Sequence, residues 1–167
     1  DHEGRRIGPL PLISGFDTHE LCRHLAALEK PWSWHLLNWR IAAREFAISG
    51  AEHNPHIRDG RKLTFVKETL LGNHRLVRQM QEESDHFIVA DSLEDLVARM
   101  NALDGTDDVR LDNVRNSIRT FDDNVRRGPS QWNDDQLRRI QHARAWKSDR
   151  LRTCAPKPLL DFQPLIA

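Results

Sequence analysis

Tyrosine is missing from this chain of 167 residues, and cysteine and methionine occur only twice each. A mechanism that needs a phenol for proton transfer cannot draw that group from here. Cys22 and Cys154 stand far apart, with no CxxC spacing and no cluster of other ligands, so two reduced thiols are the simplest reading. Charge of one sign is not in excess either, with 25 Lys and Arg against 25 Asp and Glu. A balanced chain feels no overall pull toward nucleic acid or anionic lipid, and neither is expected as a partner. No apolar run approaches the roughly eighteen residues of a membrane span. The N-terminal "DHEGRRIGPLPLISG" lacks the long apolar centre of a signal peptide. The expectation is a soluble, cytoplasmic protein without a membrane span.

Several chemistries are excluded by spacing. The eight glycines never form G-x-G-x-x-G or G-x-x-x-x-G-K-[ST], so no dinucleotide or nucleoside triphosphate is cradled by those routes. The nine histidines include His19 with His24 and His53 with His56, but no converging set of three or four zinc ligands accompanies them. No metal site is expected. A G-x-S-x-G elbow is absent and no Cys and His pair stands out, which leaves a nucleophilic hydrolase unsupported.

The pattern that is present is mostly helical. Asp17 can cap a helix with Glu20 three residues on, placing Leu21, Leu25 and Leu28 on one face and stopping before Pro31. "WSWHLLNWRI" carries β-favouring aromatics and reads as a strand, while the following "AAREFAI" can continue as helix. "SGAEHNPHIRDGRK" is rich in turn chemistry and reads as a loop. Leu63, Val66 and Leu70, then Leu76, Val77 and Met80, recur at helical spacing on either side of a break at Gly72, giving two helices. In "HFIVADSLEDLVARMNALDG", residues 86–105, Phe87 to Val89 form a short buried strand. Asp91 and Glu94 make a D-x-x-E cap, and Leu93, Leu96, Val97 and Met100 form a core face closed by Gly105. Asp107 and Asp108 open a further helix through Leu111, Val114, Ile118, Phe121 and Val125 to Gly128-Pro129, and a last one runs from about Asn133 to Trp146. Three prolines keep "CAPKPLLDFQPLIA" extended. The fold class expected is therefore α+β, mainly helical with a few short strands, and the length favours one domain with a sizeable core.

Two clusters offer binding chemistry. Trp32, Trp34 and Trp39 surround His35, Asn38 and Arg40, combining flat apolar area with hydrogen-bond donors; a half-buried strand with tryptophans in the core explains the same pattern. "KSDRLR", with Arg150 and Arg152, can clamp a carboxylate or carbonyl, or end a helix in solvent.

Five blocks in order, "PLPLISGFDT", "SWHLLNWRIAAREFAISGAEHNP", "DHFIVADSLEDLVARMNAL", "DRLRTCAPKPLLD" and "PLIA", resemble the middle section of bacterial FAD-binding dehydrogenases. These are 3-ketosteroid dehydrogenase-like flavoproteins, relatives of the fumarate reductase and succinate dehydrogenase flavoprotein family. The resemblance implies that residues 1–167 are the substrate-binding or capping domain inserted into a larger FAD-binding domain. Asp1 and Ala167 are then cut points, and this segment is not expected to retain FAD or act as an enzyme alone. It further implies oxidation or reduction across two adjacent carbons beside a carbonyl or carboxylate, with hydride moving to or from flavin N5. The partners are the FAD-binding domain of the same polypeptide and a small-molecule substrate, steroid-like or a ketone or carboxylic acid. Chemistry and position single out Trp34, His35, Asn38, Arg40 and Arg150 as substrate-facing, with Ser49, Glu52 and Asn54 shaping the cleft. The catalytic acid or base is unassigned. The alternative is a helical module that binds a protein partner and catalyses nothing.

Overall fold

The computed structural model describes residues 18–48, 55–147 and 155–167. The chain divides into two compact units, residues 1–35 and 36–167. In the first, helix α1 (Thr18–Ala26) ends before Pro31, as a proline ahead requires, and carries an exposed Cys22. The rings of Trp32 and Trp34 meet edge to face, centroids 5.2 Å apart. The cap expected at Asp17 and the cysteine at Cys154 lie outside the described residues.

The second unit is built on a three-stranded antiparallel sheet of two-residue strands, β1 (Leu37–Asn38), β2 (Val89–Ala90) and β3 (Leu165–Ile166), in the order β1-β3-β2. The last residues of the sequence thus form the central strand, where Ile166 faces Leu37 on one side and Val89 on the other. The segment expected to be merely extended is what joins the two edges. The β2 edge is prolonged by the reciprocal bonds Ile88 N to Ala167 O (2.9 Å) and Ala167 N to Ile88 O (3.0 Å). The strand read from Phe87 to Val89 is shifted by this pairing to Val89–Ala90.

Helix α2 (Trp39–Glu45) begins directly after β1. This corrects the expectation of a strand over "WSWHLLNWRI". Asn38 adopts extended backbone and its side chain accepts from Ile41 N, so it stops the strand and starts the helix in one residue. Ala42, Ala43, Val77 and Ile166 form the innermost cluster, against which Leu37, Trp39, Phe46, Phe87 and Val89 pack. α2 is followed by a 3₁₀ turn, Phe46–Ile48.

Where a loop was expected, α3 (Pro55–Arg58) forms a single helical turn with proline at its first position, where a missing N–H costs nothing. α4 (Lys62–Leu71) and α5 (His74–Glu83) are the two helices expected around Gly72. Gly72 has φ 95° and a Cβ there would lie 3.1 Å from Ala43 Cβ, so both conformation and space call for glycine. Asn73 follows, buried, donating its N–H to Ala43 O (2.6 Å) and accepting from Leu76 N to cap α5. The helical spacing of Leu63, Val66 and Leu70 is realised, but none of the three is buried.

α6 (Leu93–Asp104) buries Leu93, Leu96, Val97 and Met100, each burial worth roughly 1.5–3 kcal/mol. Its cap is Ser92, whose Oγ accepts from Asp95 N, rather than Asp91. The cap thus lies one residue on from the D-x-x-E expected, and the Asp95 carboxylate accepts from Arg99. α7 (Leu111–Arg127) follows, but Asp107 and Asp108 do not cap it; its N-cap is Arg110, with no side-chain hydrogen bond. Asn101 orders the connection instead, bonding both N–H and C=O of Val109 (2.9 and 3.0 Å). After a 3₁₀ turn at Pro129–Gln131, α8 (Asp135–Ala145) is capped by Asp134. Among the described residues no helix is long and apolar enough to cross a membrane.

Two outcomes follow for α6. Ser92→Ala should lower the unfolding free energy by about 1 kcal/mol, whereas Asp91→Ala should stay within roughly 0.5 kcal/mol of the parent; equal losses in denaturant titrations would return the cap to Asp91. Glu94 sits in the first turn and its carboxylate receives a 2.6 Å bond from Arg115 of α7. Backbone hydrogen bonding first, and Arg115 second, hold its carboxyl below the usual glutamate range. A lowered value contributes stability above the unfolded-state pKa that is lost as pH falls through the folded one. NMR titration should show the depressed midpoint, and Arg115→Ala should raise it only in part; no change on removing Arg115 would discount that bond.

Candidate functional site

The site is assembled around the segment leading into β3. Two buried polar side chains hold it from different elements. Asn38, fully buried at the end of β1, spends its carbonyl on Ile41 N and donates its amide to Leu159 O (3.0 Å) and Pro158 O (3.3 Å). Asp122, only 1% exposed on α7, accepts from Leu159 N (2.7 Å) and Leu160 N (3.0 Å). Both peptide groups of Leu159 are therefore bonded to side chains. A stretch unable to complete a helix or a sheet ladder there is ordered all the same. Arg126, one turn along α7, reaches Asp161 at 2.6 Å and lies 3.9 Å from Asp122. The hydrogen bond to Asp161 is the largest of the causes that raise the pKa of this arginine above its ordinary value.

With 158–161 fixed from both sides, the next residues are placed. The guanidinium of Arg40 lies over the ring of Phe162, Cζ 4.4 Å from its centroid. Arg40 is exposed, and Phe162 and Leu160 are also substantially open, at 42% and 38%. The result is a flat aromatic surface beside an exposed cation, with exposed Leu160 two residues earlier in the chain. Such a pairing suits an apolar molecule that ends in a carbonyl or carboxylate oxygen: the cation–π contact orients the guanidinium, whose fork matches that oxygen. On the same helix as Arg40, Trp39 donates Nε1–H to Nδ1 of His74 (2.9 Å), the rings stacked at 6.5 Å. This fixes Nδ1 of His74 as the acceptor and leaves Nε2 to carry the hydrogen of the neutral ring.

The positions singled out from sequence are distributed as follows. Arg40 is in the patch. Asn38 is beneath it, its polar atoms committed within the chain. Trp34, half-buried, and His35, exposed, belong to the first unit. Ser49, Glu52, Asn54 and Arg150 lie outside the described residues. Missed by the reading were Phe162, Asp122, Arg126 and Asp161. Asp122 left a signal: it falls four residues after Ile118 and three before Val125, inside the apolar stripe of α7, where an unpartnered carboxylate would be costly. His56 is half-buried with Nε2 3.4 Å from Glu68 Oε1. Among the described residues no three His, Cys, Asp or Glu side chains converge as metal ligands.

Asp122→Ala should lower stability by about 2 kcal/mol, because two part-buried N–H groups lose their acceptor, and should speed proteolysis within 155–163. Asp122→Asn, which keeps one carbonyl oxygen, should lose less. Denaturant midpoints and mapped cleavage sites check this; an unchanged cleavage pattern in the alanine variant would show that Asn38 alone suffices.

No family model matches the chain, and no solved structure does. A KsdD-like steroid dehydrogenase of Mycolicibacterium smegmatis is 33% identical over 170 residues, an alignment that takes in 100% of this chain and 30% of that relative. Two KsdD-like steroid dehydrogenases of Mycobacterium tuberculosis are each 33% identical over 172 residues, with the same coverage. The chain spans 30% of the length of these curated relatives. From end to end, this chain is related to one segment of the KsdD-like steroid dehydrogenases, in agreement with the family its five sequence blocks resemble.

Proposed function

We propose that this chain is the substrate-capping domain of a longer FAD-dependent dehydrogenase or reductase that acts on two adjacent carbons beside a carbonyl or carboxylate. The observation that carries this reading is the similarity of the whole chain to part of three steroid dehydrogenases. The substrate class proposed is steroid-like, an apolar body with a ketone or carboxylate end, and the compartment proposed is the cytoplasm.

The described residues do not fit FAD. Their sheet is antiparallel and two residues deep, and no glycine-rich turn leads from a strand into a helix. The turn from β2 into α6 is Asp91-Ser92, and Glu94 and Asp95 crowd the helix start with negative charge where a pyrophosphate would have to sit. The flavin, which supplies hydride chemistry in such enzymes, is assigned to the rest of the polypeptide.

What this chain contributes is a surface over the substrate. Arg40 receives the carbonyl or carboxylate oxygen, Phe162 and Leu160 meet the apolar body, and Asn38 and Asp122 hold the backbone beneath them. Trp34, His35 and Arg150, with Ser49, Glu52 and Asn54, enter the proposal on their chemistry and their order in the sequence. Closing such a surface over a flavin excludes water from the reacting carbons. No tyrosine is available, so a phenolic acid is not among the groups the cap can lend.

The test is the full-length gene product. It should be yellow, absorbing at about 450 nm and bleaching with a reductant, as bound flavins do; a colourless product would favour the protein-interaction module. In the yellow protein, Arg40→Ala should raise KM for a ketone or carboxylate substrate roughly tenfold, about 1.4 kcal/mol, at unchanged thermal midpoint because Arg40 is exposed. An unaltered KM would remove Arg40 from the site.

A further inference from the structure

Four large apolar side chains of α4 point away from the rest of its unit. Leu63 is 89% exposed, Val66 53%, Leu70 66% and Leu71 67%, and the helix buries no residue fully. With successive residues roughly 100° apart, Val66, Leu70, Leu63, Lys67 and Leu71 follow one another around a single arc. The opposite arc, Thr64, Phe65, Glu68 and Thr69, is the half-buried one. Lys67 thus stands among leucines, and exposed Arg61 and Lys62, with Arg58 paired to Asp59 at 3.0 Å, border the N-terminal end. The arc carries no carboxylate, since Glu68 is turned toward His56 on the other side. A contiguous apolar face of this kind on a folded chain marks an interaction surface.

We infer that this face of α4 is the seat of the cap on the remainder of its own polypeptide, against an apolar patch with a carboxylate opposite Lys67. The inference rests on the capping-domain reading and adds to it which surface docks. Three observations select this occupant. The relatives are far longer than this chain, which fills 30% of them, so a large surface in the same polypeptide is available. A second copy fits poorly, because a two-fold pairing centred on this face sets Lys67 in the middle of the arc against its own copy, and like charges brought together in an interface are strongly disfavoured. A bilayer fits poorly too, since Lys67 in the middle of the arc would be pressed toward the acyl chains. A protein patch with one acidic group satisfies both the leucines and the ammonium.

Covalent footprinting with a small carbene reagent on the native full-length gene product tests this, since its labelling follows exposure. Leu63, Val66, Leu70 and Leu71 should label as weakly as the buried Leu96 and Met100, in a protein that light scattering finds monomeric. Lys67→Glu in the same full-length protein should raise labelling of α4 several-fold and lower kcat/KM while flavin content stays constant. Strong labelling of α4 in a yellow, active native protein would overturn this inference and leave the cap reading standing. Protection that disappears when a dimer is diluted, or co-sedimentation of the native protein with vesicles of anionic phospholipid, would overturn it in favour of those other occupants. A colourless product would remove the cap reading and this inference together.

Discussion

The second unit depends on the two-sided grip on Leu159. Its peptide N–H goes to Asp122 and its carbonyl to Asn38, side chains that start from different elements and are themselves buried. The central strand of the sheet lies only a few residues beyond, and both edge strands pair with it alone. Strands of two residues cannot hold one another by their own ladder, since so few bonds cannot offset the entropy of ordering them. Their alignment is imposed from outside: Asn38 joins β1 to the segment before β3, and Asp122 ties that segment to α7. Buried polar groups of this kind are costly unless every bond is made, and then they specify one arrangement.

The same grip places the surface chemistry. Arg40 stands where it does because Asn38 ends β1 and caps α2 two residues earlier. Phe162 lies under that guanidinium because residues 159–161 are already fixed by Asp122 and Arg126. A cation over an aromatic ring in water contributes only about 0.5–1 kcal/mol, too little to order a loop. The pair is therefore a consequence of the buried bonds below it, and it stays open to solvent, able to exchange water for another acceptor.

Much of the helical plan was legible because it is written in spacing. Leu93, Leu96, Val97 and Met100 recur every three or four residues and are buried; the break at Gly72 and the stops near Gly105 and Gly128 fall where glycine relaxes the backbone. Less legible was anything decided by partners distant in sequence. "WSWHLLNWRI" has the composition of a strand, but only Leu37 and Asn38 find a partner, more than a hundred residues away, and the cap at Asn38 wins over propensity for the rest. The final "PLIA" is too short to declare itself a central strand. The choice of Ser92 over Asp91 turns on one residue of register, which D-x-x-E and S-x-x-D leave open in the sequence. For the site, residue chemistry pointed to Arg40, but Phe162 and Asp122 become visible only when 122 and 159–162 are brought together in space.

Spacing also says nothing about what a helix packs against, and α4 makes the difference plain. Its apolar residues repeat as regularly as those of α6, yet one set is buried and the other is open. In a self-sufficient domain a stripe of that kind would be a liability to aggregation. In a segment that corresponds to under a third of its relatives, the proposed docking face gives it a simple physical meaning: the hydrophobic effect that organises α6 around the sheet is left unused on α4 by the described residues.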